Sequence, residues 1–474
     1  MRYAFIRMIM SCPGFNSRPS IQHASPSGSK ITASRPKVLV LAGPTAVGKS
    51  AAALKLCQLV RGEIISADSV QIYKSLNVGA NKPSEEELNL VPHHMLDIAD
   101  PSCDEYTAGD FYRAARDTVR DVLHREMLPV VVGGTMMYVR WFVYGRPATP
   151  RSDMKAKQKV SEALKSVRGD WDAALALLAQ RDPKRAAMLF RNDWYRLGRA
   201  LEIVETTGTP MTEMPLQGGA PQTHYSGDAL DYDFRCVFLY DDRIPLNRRI
   251  DERCEDMILP RRDLAQQDDW EQCFEKSMLT EVSELLRCRG LRVSSTSPAF
   301  AIGYRQTITY LVARAIAKQG KTVEDDTRAD GQETVSSGSN DDVLAFRSFL
   351  EGFQSATRGY ARAQAKWFRK EMLFHWVKAG ASAGDVVANI VQMTESEYKQ
   401  FREQSEADQL ERRQSIVEQG KAMKRYVTKK EWLINDSIAE ARAVFLAERC
   451  ASDLASSKSA DDLDNIRRTI LCIK

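Results

Sequence analysis

The chain has 474 residues, enough for two or three domains at about 150 residues each, and 43% of them are hydrophobic against 27% charged. This ordinary globular balance excludes a largely disordered protein, and no apolar run approaches the roughly 20 residues that span a bilayer, so no membrane partner is expected. Lys and Arg number 67 against 63 Asp and Glu, a net charge of +4, so a nucleic-acid partner must be held by a local basic surface.

The first acidic residue is Glu63, and residues 1–62 hold nine Lys/Arg. Within residues 1–36, Arg2, Arg7, Arg18, Lys30 and Arg35 are interspersed with Ser, Met, Ile and Phe. That composition predicts a mitochondrial targeting peptide, with a plain basic tail as the alternative and the cytoplasm as a second location. From residue 37 the texture changes. Residues 38–42 form a continuous apolar run, the mark of a strand buried on both faces. A Gly/Pro turn follows, then helical spacing over residues 50–60. A second strand is predicted over 63–68, a helix over 108–124 and a third strand over 128–132. Strands alternating with helices predict an α/β fold with a parallel sheet, whose first part spans residues 37–150.

Residues 151–215 read as an inserted helical module, amphipathic over 171–180 and 194–205. Residues 234–240 form another apolar run, so the core returns over 216–376 and becomes mainly helical. Residues 321–342 carry seven acids among Gly, Ser and Thr and read as a disordered acidic loop. Residues 377–474 form a charged helical C-terminal extension.

Gly43, Pro44, Thr45, Ala46, Val47, Gly48, Lys49 and Ser50 fit GxxxxGK[ST] between a predicted strand and helix, the context this motif requires. The glycines let consecutive backbone N–H groups converge on a phosphate, the helix N-terminus adds its dipole, and Lys49 adds a mobile cation. Ser50 can place its hydroxyl on Mg²⁺. A di- or triphosphate is expected here. ATPases place an Asp after an apolar strand to organise the metal, but the strand at 128–132 runs into Gly133, Gly134 and Thr135. The carboxylate at a strand end is Asp68, and neighbouring carboxyl ends of a parallel sheet share one crevice. Asp68 therefore reads as a general base, a metal ligand or a helix N-cap; Thr135 reads as a donor to a leaving oxygen or as a turn residue.

Taken together, these segments resemble the tRNA dimethylallyltransferase (tRNA isopentenyltransferase) family. The resemblance rests on GPTAVGKS at 43–50, ISADSVQIY at 65–73, GANKP at 79–83 and PHHMLDIAD at 92–100. It continues through VGGTMMY at 132–138, NDWYRLGRALE at 192–202, RIDER at 249–253, AIGYRQ at 301–306 and TRGYARAQAKW at 357–367. The segments keep the family's order over residues 37–376. The resemblance implies a P-loop-NTPase-like core with an inserted helical domain. It also implies transfer of the dimethylallyl group from dimethylallyl diphosphate to the exocyclic amine of the adenosine 3′ of the anticodon, releasing diphosphate, with Mg²⁺ as cofactor. By likeness Asp68 is the base, Thr135 and Arg253 act on the leaving diphosphate, and Arg249 helps bind it. The family's tRNA-contacting segments fall on Ser69, Val70 and Gln71, on Lys155, on Tyr195, Arg196, Leu197, Gly198 and Arg199, and on Ala301, Ile302, Gly303, Tyr304 and Arg305. The partner is then a tRNA anticodon stem-loop, met by a monomer. Without the resemblance, Tyr195, Arg196 and Arg199 read as a solvated helix face, as do Arg358, Arg362 and Lys366.

One departure concerns the C-terminal zinc finger common in eukaryotic members. No histidine follows His375, and only Cys450 and Cys472 remain there. No zinc is expected, and nine cysteines without a CxxC pair do not suggest a disulfide scaffold. Rival readings are an adenylate isopentenyltransferase, a P-loop kinase, and a non-catalytic RNA-binding P-loop protein. The long insertion and AIGYRQ segment favour a polymer substrate.

Overall fold

The computed structural model describes residues 35–102, 106–150, 153–214, 216–217, 230–259, 275–288, 297–321, 340–380, 382–392 and 436–472, with single positions 291, 293, 411, 414 and 433. Residues 1–34 of the expected leader (residues 1–36) and residues 322–339 of the expected acidic loop lie outside them. Two compact units emerge, one drawn from Met1–Val139 and Tyr232–Lys474, the other from Arg140–Asp231.

The strands in chain order are β1 (Lys37–Ala42), β2 (Gly62–Ala67), β3 (His93–His94), β4 (Leu128–Gly133), β5 (Arg146–Pro147), β6 (Leu216–Gln217), β7 (Asp233–Tyr240) and β8 (Phe374–Lys378). Six of them build the sheet of the larger unit in the order β3-β2-β4-β1-β7-β8, and every pairing in it is parallel. β5 and β6 form a separate antiparallel pair. The continuous apolar runs behave as such runs must in a sheet covered on both faces: Val38, Val40 and Leu41 of β1 and Val130 and Val131 of β4 are fully buried. β3, two residues long, and β8 have no comparable run, which is why periodicity alone misses them. β8 also carries the sheet across residue 376, where the sequence reading ended the core.

The helix Asn340–Phe368 has 29 residues, about 43 Å at 1.5 Å per residue. Phe346, Phe349, Leu350, Phe353, Ala361 and Phe368 recur at helical spacing and form its buried face. Its expected basic stripe divides. Arg362 and Lys366 are exposed, whereas Arg358 turns inward to pair with Asp251, which is fully buried.

The C-terminal helices Ser437–Ser457 and Ala460–Cys472 pack against the helices Met278–Arg287 and Tyr304–Lys321. Ala443, Val444, Ala447, Ala451 and Leu454 bury the contact. Arg347 holds Glu440 through both nitrogens at 2.6 and 2.8 Å, and Arg314 holds Glu448 at 2.7 Å.

In the smaller unit, four α-helices start at an aspartate whose carboxylate accepts a backbone N–H of the first turn. Asp153 opens Met154–Ser166, Asp170 opens Trp171–Ala179, Asp182 opens Pro183–Met188 and Asp193 opens Trp194–Thr207. Such caps are each worth about 1 kcal/mol. Val160, Trp171, Ala174, Leu178 and Leu201 form the core, with Trp171 and Trp194 edge to face at 5.2 Å.

Candidate active site

Strand register builds the site. Ala42 of β1 and Ala67 of β2 both stand opposite Gly133 of β4, so the residues that follow, Gly43, Asp68 and Gly134, leave the sheet side by side. This is the crevice at the carboxyl ends of parallel strands where α/β proteins place ligands. The phosphate-loop residues, Asp68 and Thr135 are brought together as the sequence predicts.

The loop turns into the helix Lys49–Val60 at Gly48, whose φ of 98° suits glycine. Ala46 also takes a left-handed φ of 62°. A non-glycine residue there costs roughly 1 kcal/mol, and its carbonyl is held by Arg249 Nε at 3.0 Å. Arg249 also pairs with Asp241 at 2.6 Å, so it serves as a strut of the loop. Arg253, four residues on, donates to the Thr45 hydroxyl at 3.0 Å.

Lys49 Nζ donates to the Pro44 carbonyl at 2.8 Å, so the loop wraps around its own lysine. Burial, reinforced by the neighbouring Arg253 guanidinium, pulls the Lys49 ammonium down to about 7, while Asp68 opposes the fall. Burial also lowers Arg253 from the usual arginine value, though a guanidinium remains charged. Two cations crowded in a partly dry cleft form a site for an anion. Ser50 lies exposed at the start of the helix. Among the described residues no three His, Cys, Asp or Glu side chains converge as a metal cage. Mg²⁺ does not need one, since it keeps several waters and binds through one or two protein groups plus substrate phosphates; the Ser50 hydroxyl fits that pattern.

Asp68 performs one of its alternative roles and retains another. Its Oδ1 accepts from Val70 N at 2.8 Å and from Gln71 N at 3.4 Å, capping the turn that follows β2. Among the described residues no hydrogen bond engages Oδ2, and the carboxylate lies within electrostatic reach of Lys49 and Arg253. Thr135 Oγ1 accepts from Ser69 N at 3.0 Å and contacts Ser69 Oγ at 3.3 Å. Its own proton goes to Ser69 Oγ, and a hydroxyl rotor can turn that proton to a ligand oxygen instead.

The expected RNA-facing residues separate by exposure. Lys155, Tyr195 and Arg196 are exposed, with Arg196 paired to Asp193. Arg199 donates to the Pro150 carbonyl at 2.6 Å, and Gly198 is half-buried. Leu197 is fully buried in the core of its unit; its inward helical position corrects the expectation of a side-chain contact. Tyr304 is likewise fully buried, its hydroxyl donating to Glu281 at 2.6 Å. Burial and the Glu281 carboxylate push this phenol well above the usual tyrosine range. Gly303 is buried beside it, and Ala301, Ile302 and Arg305 are half-buried. Gln71 uses its amide internally, accepting from Ser66 Oγ at 2.7 Å and donating to Ala80 O and Asn81 O at 3.2 and 2.9 Å.

Sequence reasoning missed three contributors. Phe190 is 81% exposed, five residues before Tyr195, which is 74% exposed, giving the smaller unit a second exposed aromatic; interleaved aromatics and basic residues are the available signal. Glu281 accepts from the backbone N–H groups of Asn77, Val78 and Gly79 at 2.7, 2.7 and 3.2 Å. An acid in an amphipathic helix gives no hint of that. Gln364 stands fully inside the larger unit against the phosphate loop.

A family model described as IPP transferase matches residues 71–260 and 267–371. The chain is 36% identical over 391 residues to tRNA dimethylallyltransferase 9 of Arabidopsis thaliana, covering 78% of this chain and 77% of that one. It is 32% identical to a tRNA dimethylallyltransferase of Protochlamydia amoebophila, covering 77% and 90%. A solved eukaryotic dimethylallyltransferase acting on tRNA shares the fold with a TM-score of 0.57 at 24% identity, over 82% of this chain and 86% of that one.

Proposed function

Because the chain belongs to the IPP transferase family, we propose that the crevice at the ends of β1, β2 and β4 transfers a dimethylallyl group from dimethylallyl diphosphate to a tRNA. The enzyme is a tRNA dimethylallyltransferase in reaction class. The acceptor is the exocyclic amine of the adenosine just 3′ of the anticodon. The observation that carries this reading is the meeting of a cationic phosphate loop with a carboxylate and a hydroxyl on adjacent strand ends.

The loop and Lys49 hold the donor's diphosphate, and Arg253 stands over Thr45 at the same loop. The Ser50 hydroxyl would help hold Mg²⁺, which would supply partial neutralisation of the diphosphate charge. The amine nitrogen attacks C1 of the dimethylallyl group, and the carbon–oxygen bond breaks with its electron pair leaving on diphosphate. Thr135 turns its hydroxyl proton toward the oxygen that gains charge. Asp68 Oδ2 takes the proton from the amine, while Oδ1 keeps the turn in place. The target base must first leave its stack, at a few kcal/mol. Phe190, Tyr195, Lys155 and Arg196 offer stacking and phosphate contacts of the kind single-stranded RNA uses. The protein works as a monomer, and its acid-free leader directs it to mitochondria.

The test incubates the protein with labelled dimethylallyl diphosphate and either total tRNA or AMP. Label in tRNA supports the reading. Label in AMP alone supports the free-nucleotide rival, and ATP hydrolysis without prenyl transfer supports a kinase-like one.

A further inference from the structure

We infer that Gln364, on the helix Asn340–Phe368, is a positioning residue that sets the spacing between the phosphate loop and Thr135 and thereby governs turnover. This rests on the reading of that crevice as the donor site. β1 and β4 are hydrogen-bonded neighbours as far as Ala42 and Gly133. Past those residues the two chains leave the sheet as the phosphate loop and the Gly134–Thr135 turn. Gln364 bridges them there. Its Oε1 accepts from Thr45 N at 2.9 Å, and its Nε2 donates to Gly134 O at 2.9 Å. A carboxamide offers the same donor and acceptor as a peptide unit, so this side chain supplies one more rung where the ladder has ended.

The fit is close. Gln364 is 2% exposed, and both ends of its amide are satisfied, as a buried polar group requires. A Cβ at position 134 would stand 2.2 Å from Gln364 Nε2, so glycine there is what admits the amide. Thr45, held at its N–H by Gln364, is held at its hydroxyl by Arg253. One connected network thus joins Arg253, the loop and Thr135. In it, the diphosphate held in the ground state and the hydroxyl that acts as charge develops are kept at a fixed separation. Since that separation matters most in the transition state, its loss falls on turnover more than on donor capture.

The test measures single-turnover prenyl transfer at saturating donor and tRNA, alongside the affinity for inorganic diphosphate and the melting temperature. Gln364→Met keeps the volume and loses both hydrogen bonds; Gly134→Ala leaves Gln364 in the chain but sets a Cβ 2.2 Å from its Nε2, which drives the amide out of its place. Each is expected to slow the chemical step by about tenfold or more while diphosphate affinity changes by less than about threefold. In a Thr135→Ala background the same substitutions are expected to cost little further rate, because the group they position is gone. Should Gln364→Met not fold, Gly134→Ala alone decides. A purely structural role would lower the melting temperature, leave the rate per folded molecule within threefold, and act additively with Thr135→Ala; that result overturns the inference. An unsubstituted protein that does not prenylate tRNA overturns the donor-site reading instead.

Discussion

The depressed ammonium of Lys49 makes diphosphate binding a proton-linked event. With its value near 7, about one molecule in ten carries the Lys49 charge at pH 8 in the ligand-free protein. A diphosphate drawn into the loop adds opposite charge beside it and restores the ammonium. Binding at pH 8 is therefore expected to take up close to one proton at Lys49, falling to about half a proton at pH 7. Titration calorimetry in buffers of different ionisation enthalpy reads this directly, with Lys49→Arg as the reference, because its guanidinium is charged throughout and leaves only the ligand's own ionisation. The sign carries over to stability. Between pH 7 and the unfolded lysine value of 10.5, the unfolded chain holds the proton that the folded chain has shed. The ligand-free protein should therefore gain stability from this group as pH rises through that window, a gain fully developed only above the unfolded value. An equal proton count for Lys49→Arg and the unsubstituted protein at pH 8 would refute the electrostatic account of the loop.

Asp68→Asn keeps a carbonyl oxygen to accept from Val70 N and Gln71 N, so the turn should survive. The proton acceptor is lost, and single-turnover transfer at saturating tRNA should fall about 10²–10⁴-fold, roughly 3–5 kcal/mol; rescue by added Mg²⁺ would instead mark Asp68 as a metal organiser, and near-normal turnover would remove it from the chemistry. Thr135→Ala should lower turnover more than donor affinity, and a loss mainly in affinity counts against a role in leaving-group stabilisation. Residues 1–36 fused to a fluorescent protein should reach mitochondria, and diffuse cytosolic signal would sink the targeting proposal without touching the enzymatic one.

The parts of this fold that sequence makes legible are those where one local rule suffices. β1 and β7 each hold an apolar run of five residues, β2 and β4 shorter ones, with turn residues behind them, and a motif of eight residues fixes the phosphate loop between a strand and a helix. Asp68 and Thr135 follow because strand ends in a parallel sheet share a crevice. What escapes depends on partners distant in sequence. Leu197 and Tyr304 sit in motif segments, but the inward face of a helix is chosen by the core it meets. Arg249 reads as a ligand-binding cation, and the fold alone reveals that it also holds Asp241 and the Ala46 carbonyl. Gln364 looks like a polar position in a basic stripe, and only its burial reveals a partner.

The contact between Thr45 and Gln364 spans 319 positions, and this has consequences for how the protein is made. A nascent chain emits the phosphate loop early and the residue that latches it late, after most of the chain has been synthesised. Loop-closure entropy must be overcome before so remote a contact rewards folding, which places it among the slow, late steps. A product truncated before residue 364 would carry an unlatched loop and lack β8 at the sheet edge. Catalytic competence is thus expected to arrive in one step only after residue 364 has been made, so that chains stopped before it hold no partly assembled prenyl-transfer site.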